Sequence, residues 1–201
     1  MAFQVQHDDV FGFVRHALDA HLLGIVSAAS LLQECGCTAV IADADTCAAF
    51  TSPEDSTAMA RAVAWLRLNR ITALGFSYRL DPAQGAEWFG RVIFSLRNRH
   101  AFAAEGGTLR AVFFAGLPDA CSQVSRENPA VTAVFDGDES AAQTLSQLGV
   151  PRPRWPQLLT QGMRYDEDRL ALGRELTQNG RHLAVAPCNR SGYHQYGTRQ
   201  D

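Results

Sequence analysis

Short apolar runs alternate with stretches of helical spacing along the first 150 residues, and that rhythm admits few architectures. VFGFVRH (10–16) reads as a strand and ALDAHLLG as the loop after it. IVSAASLLQECG then places Ile25, Val26, Ala29, Leu31 and Leu32 on a helical stripe that Gly36 closes as a C-cap. CTAVIAD (37–43) is the second strand. TSPED (51–55) opens a helix with Ser52 as N-cap and Pro53 in its first turn, running to about Asn69. ITALGFS (71–77) is nearly continuous in apolar residues, as a buried parallel strand requires, and the helix after it opens at Asp81-Pro82 and carries Trp88, Phe89, Val92, Ile93 and Leu96. LRAVFFAG (109–116) and AVTAVFDGD (130–138) are the fourth and fifth strands, followed by helices from Pro118 and in ESAAQTLSQLG.

Five strands alternating with five helices predict an α/β fold. The expected form is a flavodoxin-like, doubly wound, five-stranded parallel sheet of order 2-1-3-4-5, with right-handed crossovers and helices on both faces. The pattern stops at PRPRWP (151–156), whose prolines cannot continue a helix. Residues 1–150 thus form the domain. Residues 151–201 add a proline-rich junction, a helical piece over about 165–178 and a polar tail, CNRSGYHQYGTRQD, that lies on the domain, docks on a partner or leads into a further segment.

Composition removes several chemistries. All 18 basic residues other than histidine are arginine, so there is no lysine for a Walker A loop, a pyridoxal Schiff base or a Schiff-base aldolase. A net charge of −3 gives no electrostatic handle for nucleic acid or an anionic membrane. The start, MAFQVQHDD, lacks signal-peptide character and no apolar run is long enough to span a bilayer, so the expected location is cytoplasmic. Cys35, Cys37, Cys47, Cys121 and Cys188 form no CxxC pair and read as buried free thiols.

In an open parallel sheet of this order, ligands bind beyond the carboxyl ends of the strands, between the first and third. ALDAHLLG is the loop at that point, and it holds Asp19, His21 and Gly24 in the spacing D-x-H-x-x-G. Asp19 can fix one imidazole nitrogen of His21 and leave the other free to ligate a metal, while Gly24 leaves room for a bulky ligand at the helix start. One ligand is too few for a protein-built zinc site but suffices for a metal already held by a macrocycle.

D-x-H-x-x-G on the first loop of such a domain resembles the signature of cobalamin-binding domains, as in methionine synthase, methylmalonyl-CoA mutase, corrinoid methyltransfer proteins and the small subunit of glutamate (methylaspartate) mutase. The resemblance covers about residues 8–150, and DAHLLGI is most similar to the glutamate mutase subunit. It implies that His21 replaces the cofactor's dimethylbenzimidazole as the lower cobalt ligand, the displaced nucleotide tail entering a pocket between the first and third strands. The family's S-x-L after the third strand is matched by Ser77, with Leu80 one residue late; its glycine pair on the fourth strand is replaced by Ala115-Gly116. AVFDGDES is similar to the V-F-x-x-G-T-S segment after the fifth strand, with Val134, Phe135 and Ser140 in register.

The cofactor contacts so implied are Asp19, Ala20, His21, Leu22, Gly24 and Ile25 on the first loop, Ser77 and Leu80, Ala115 and Gly116, and Phe135 and Gly137. The implied function is the cofactor-carrying part of an adenosylcobalamin-dependent carbon-skeleton mutase, an isomerase, adenosylcobalamin being placed ahead of methylcobalamin. A catalytic barrel subunit, or a catalytic domain beyond residue 201, completes it. Alternatives are a corrinoid methyl carrier and a cofactor-free interaction or sensor domain.

Weaker constellations have plainer readings. His16 could join His21 and Asp19 in a metal cluster, but a strand-end histidine is ordinarily exposed. Asp43 and Asp45 could meet a ribose hydroxyl, yet no G-x-G-x-x-G follows the first strand. Asp8 and Asp9 resemble the acidic pair of receiver domains, but Ser77 stands where the phosphoacceptor aspartate belongs and the required lysine is absent. Tyr193, His194 and Tyr196 fit a flexible-tail composition better than an active-site loop.

Overall fold

A computed structural model of the chain describes residues 3–157 and 159. The helical piece expected over 165–178, the tail and Cys188 lie outside the described residues. Strands β1 (Val10–Arg15), β2 (Thr38–Ile41), β3 (Ala73–Tyr78), β4 (Ala111–Gly116) and β5 (Ala133–Phe135) form one sheet of order β2-β1-β3-β4-β5, every neighbour pair parallel. The helices are α1 (Leu23–Glu34), α2 (Ala44–Thr51), α3 (Ser56–Leu68), α4 (Pro82–Asn98), α5 (Pro118–Glu127) and α6 (Ala141–Gln147). This is the doubly wound, flavodoxin-like architecture.

Side-chain alternation along the strands builds two cores. Phe11, Phe13, Ala73 and Phe113 pack on one face with Ile25, Ala29 and Leu32 of α1 and Leu145 of α6. Val14, Leu74, Phe76 and Phe114 pack on the other with α2 to α5, where Met59, Leu66, Phe89 and Val92 are buried. β3 is central and buried along its whole length, which is why its sequence is almost continuously apolar.

Helix starts follow capping chemistry. Asp81 accepts from the Gln84 amide at 2.9 Å with Pro82 in the first turn, and Ser140 and Gln143 form a reciprocal capping box. The expected helix from TSPED needs correction, because the β2–β3 crossover contains two helices, α2 and α3, which brings the α-helices given above to six among the described residues. Asp43 caps α2 through the Thr46 amide at 2.8 Å, and Ser52 is the residue that ends that helix. Asp55, not Ser52, caps α3, accepting from Thr57 and Ala58 at 2.7 and 3.1 Å. The bonds with Thr46 hold the Asp43 carboxyl below its usual range and commit it to the helix cap.

Gly36 has φ +69° and closes α1, as its sequence position implies. The proline-rich junction adds a clamp there. Arg154 donates from Nε to the Cys35 carbonyl at 3.1 Å and from Nη2 to that of Gly36 at 2.9 Å, placing a cation at the negative end of the helix. Cys35, Cys37, Cys47 and Cys121 are buried free thiols, and burial pushes Cys35 up to about 11. Among the described residues no helix is long and apolar enough to cross a membrane.

Candidate functional site

The loop between β1 and α1 lies at the carboxyl edge of the sheet, beside the junction of β1 and β3. It is held from three directions. Arg15, the last residue of β1, donates from Nη1 to the carbonyls of His16, Ala17 and Asp19, the last at 2.6 Å. The Ala17 amide donates to Thr51 Oγ1 of α2 at 2.8 Å. The His16 amide donates to the Ser77 carbonyl at 3.3 Å.

Asp19 is the centre of this loop and is fully buried. Its Oδ2 accepts from the Arg79 amide at 2.6 Å, tying the β1 loop to the β3 loop. Its Oδ1 accepts from the His21 amide at 2.9 Å and contacts His21 Nδ1 at 2.6 Å. A carboxylate only accepts, so Nδ1 carries the proton and the lone pair of a neutral ring is on Nε2. The His21 side chain is 60 % exposed. A buried carboxylate thus orients an imidazole whose second nitrogen has no partner among the described residues.

No group of three or more metal-ligating side chains occurs among the described residues. His16 does not join His21; its ring meets the edges of Tyr78 and Trp88 at centroid distances of 5.3 and 5.2 Å, and its Nδ1 accepts from the Leu18 amide. It is half-buried, not exposed as its strand-end position suggested, and burial lowers its pKa against the opposing charge of Asp19. The donor set is one oriented imidazole, which suits a metal that brings its other ligands with it.

Gly24 has no explanation in the packing of the described residues. A Cβ built on Gly24 would meet nothing within 4 Å, and its φ is not positive, so neither crowding nor backbone geometry requires glycine there. Ser77 is buried, at 6 % exposure, but its hydroxyl is not a buried atom left without a partner; among the described residues only Glu105 Oε2 is. Ser77 lies in a cross-strand row, Arg15–Ser77–Ala115–Phe135, on the face covered by α1 and α6. The two central members are small, which thins the sheet surface there.

The other expected contacts divide. Ala20 and Leu22 are exposed on the loop, and Leu22 opens α1 without a side-chain cap. With Leu18, Leu23, Val26 and Leu80, all at least 40 % exposed, Leu22 supplies an apolar collar at this end of the molecule. Ile25 faces inward. Phe135 packs on Phe113 at 6.2 Å, and Gly137 has φ +95° with the Arg79 guanidinium against it. Gly116 alternates onto the opposite face, where its missing Cβ leaves room for Phe114 at 2.6 Å, so it does not join Ser77 and Ala115.

Sequence reasoning overlooked Arg15 and Arg79. Arg15 had a usable signal, a lone cation ending an apolar strand just before the motif. Arg79 is the residue that displaces Leu80 from its expected spacing after Ser77. Neither a family model nor a curated protein matches the chain.

Proposed function

We propose that this protein is a cytoplasmic cobalamin-binding module that holds its cofactor base-off with His21 Nε2 on cobalt. The observation that carries the reading is the Asp19–His21 pair, a buried carboxylate fixing an exposed imidazole in the tautomer that ligates. The open space at Gly24 supports it as clearance for a corrin ring, and Ser77, between β1 and β4 in the sheet, is placed to meet the nucleotide tail. Ala115, paired with Ser77 across β3 and β4, adds only a methyl where the resemblance has glycine.

In this reading the chain's own residues bind, orient and exclude water. Asp19 fixes the tautomer and angle of the imidazole, while Leu18, Leu22, Leu23 and Val26 offer exposed apolar surface beside it. The bound cofactor supplies the reaction, cobalt–carbon homolysis in a carbon-skeleton mutase of the glutamate mutase type or methyl transfer in a carrier. A catalytic partner subunit or domain provides the substrate site. The apolar collar also favours a second reading, a cofactor-free interaction domain whose partner covers those leucines.

One experiment separates the two. Purified protein mixed with cobalamin is expected to develop a histidine-ligated, base-off absorption spectrum, and His21→Ala to abolish it. An unchanged spectrum with the wild-type chain overturns the cobalamin reading and leaves the interaction domain.

A further inference from the structure

Helices α1, α6, α3 and α4 end in the same turn, with two kinds of residue at its left-handed position. In α3 the Ile71 amide donates back to the Leu66 carbonyl at 2.9 Å, and in α4 the Ala101 amide to that of Leu96 at 3.0 Å; equivalent bonds close α1 and α6. The residue inside the turn is Gly36 in α1 and Gly149 in α6. In α3 and α4 it is Arg70 and His100, each at φ +53°. A Cβ is disfavoured in this region of backbone space, whereas glycine enters it freely.

The helix macrodipole does not require these two side chains, because Arg67 and Arg97 already stand in the last turns of α3 and α4. Ion pairing does not require them either. Among the described residues Arg67, Arg70 and His100 have no carboxylate within salt-bridge distance. Glu105, on the α4–β4 connection, stands 3.8 Å from Arg97 and keeps its Oε2 buried without a partner.

Both helix ends lie on the amino edge of the sheet, opposite the loop that carries His21. They adjoin there, since Val63, Leu66 and Arg67 share a crevice with Ala101, Gly107 and Thr108. Leu68, between Arg67 and Arg70, is 84 % exposed, the most of the large apolar side chains described. Guanidiniums on either side of an exposed leucine complement carboxylates on either side of an apolar residue. A bare phosphate backbone would answer the arginines and leave Leu68 in water.

We propose that the ends of α3 and α4 form a docking surface for an acidic segment of a partner protein. Arg67, Arg70 and His100 receive its carboxylates, and Leu68 meets an apolar side chain set between them. The surface is separate from the His21 site and does not depend on the corrinoid reading.

The test titrates the full chain with a fluorescein-labelled helical peptide of glutamates and leucines. Binding should weaken as salt is raised. Arg70→Gly combined with His100→Gly should lower affinity about tenfold, the loss expected for a hydrogen bond to a charged group, while the urea midpoint holds or rises because glycine fits both turns. Leu68→Gln should lower affinity and leave the salt dependence unchanged. A peptide that does not bind, or binds these variants as tightly as the wild type, overturns the surface. An oligonucleotide that binds as tightly as the peptide and ignores Leu68→Gln also overturns it, in favour of a general polyanion site. Self-association of the chain that Leu68→Gln abolishes overturns it in favour of a second copy as the occupant.

Discussion

Asp9 and Asp19 are buried at opposite edges of the same sheet, and their partners differ in kind. At the amino edge Asp9 takes Arg110 Nη1 at 2.6 and 2.8 Å and the Gln6 amide at 2.7 Å, while the Arg110 guanidinium also lies 5.3 Å from the Phe3 ring. The carboxylate and the guanidinium there answer each other inside the fold. At the carboxyl edge Asp19 takes two amides and an imidazole, and the imidazole points away from the core. A closed pair stabilises the fold. A carboxylate that organises an outward ring leaves one valence for something else.

Asp9→Ala should produce the largest change, a loss of about 2–4 kcal/mol in a urea unfolding experiment, because Arg110 is left without its carboxylate at a partly buried position. At temperatures where the variant stays folded its corrinoid affinity should match the wild type. A variant that loses both equally would erase the distinction between the edges.

Asp19→Asn tests the other edge. Its amide presents a donor either to the Arg79 amide or to His21 Nδ1, and in the second case the ring is driven to the tautomer with its proton on Nε2. Cobalamin affinity should fall about 10–100-fold, with a stability loss of about 1–3 kcal/mol for the mismatched donor. Titration followed by absorbance, beside a urea curve, separates the two effects.

Gly24→Leu sharpens the contrast further, since the site has empty space around it. Helix propensity favours leucine over glycine by about 0.5–1 kcal/mol, so the unfolding midpoint should hold or rise while corrinoid binding is lost. A stabilised variant that still binds would remove the clearance role.

The smallest effect concerns His16, whose folded pKa burial lowers from 6.5. As pH falls below 6.5 the unfolded chain takes up a proton that the folded chain resists, so stability present above that pH declines toward the folded pKa. The decline should run downward from pH 6.5, and His16→Gln should flatten it in a pH series of urea curves.

The fold was legible wherever one period dominated. ITALGFS and the stripe Trp88, Phe89, Val92, Ile93 and Leu96 each report burial directly, and all are found in the core as their spacing implies. The helix α2 was hidden because Asp45, Thr46 and Thr51 interrupt its apolar stripe, and because Ser52-Pro53 imitates a helix start when Asp55 is the true cap. At the site, the Asp19–His21 bond follows from a two-residue spacing. The Arg79 amide on Asp19 spans sixty residues and depends on strand register, to which local sequence is blind.

Arg15 gathers three carbonyls of the β1–α1 loop onto a single nitrogen, so the loop is set when the chain folds and not when a ligand arrives. Association then needs no waiting period for loop ordering, and the entropy of fixing His21 is already part of the folding equilibrium. Capture of a ligand by a loop fixed in this way would be governed by how often the two meet.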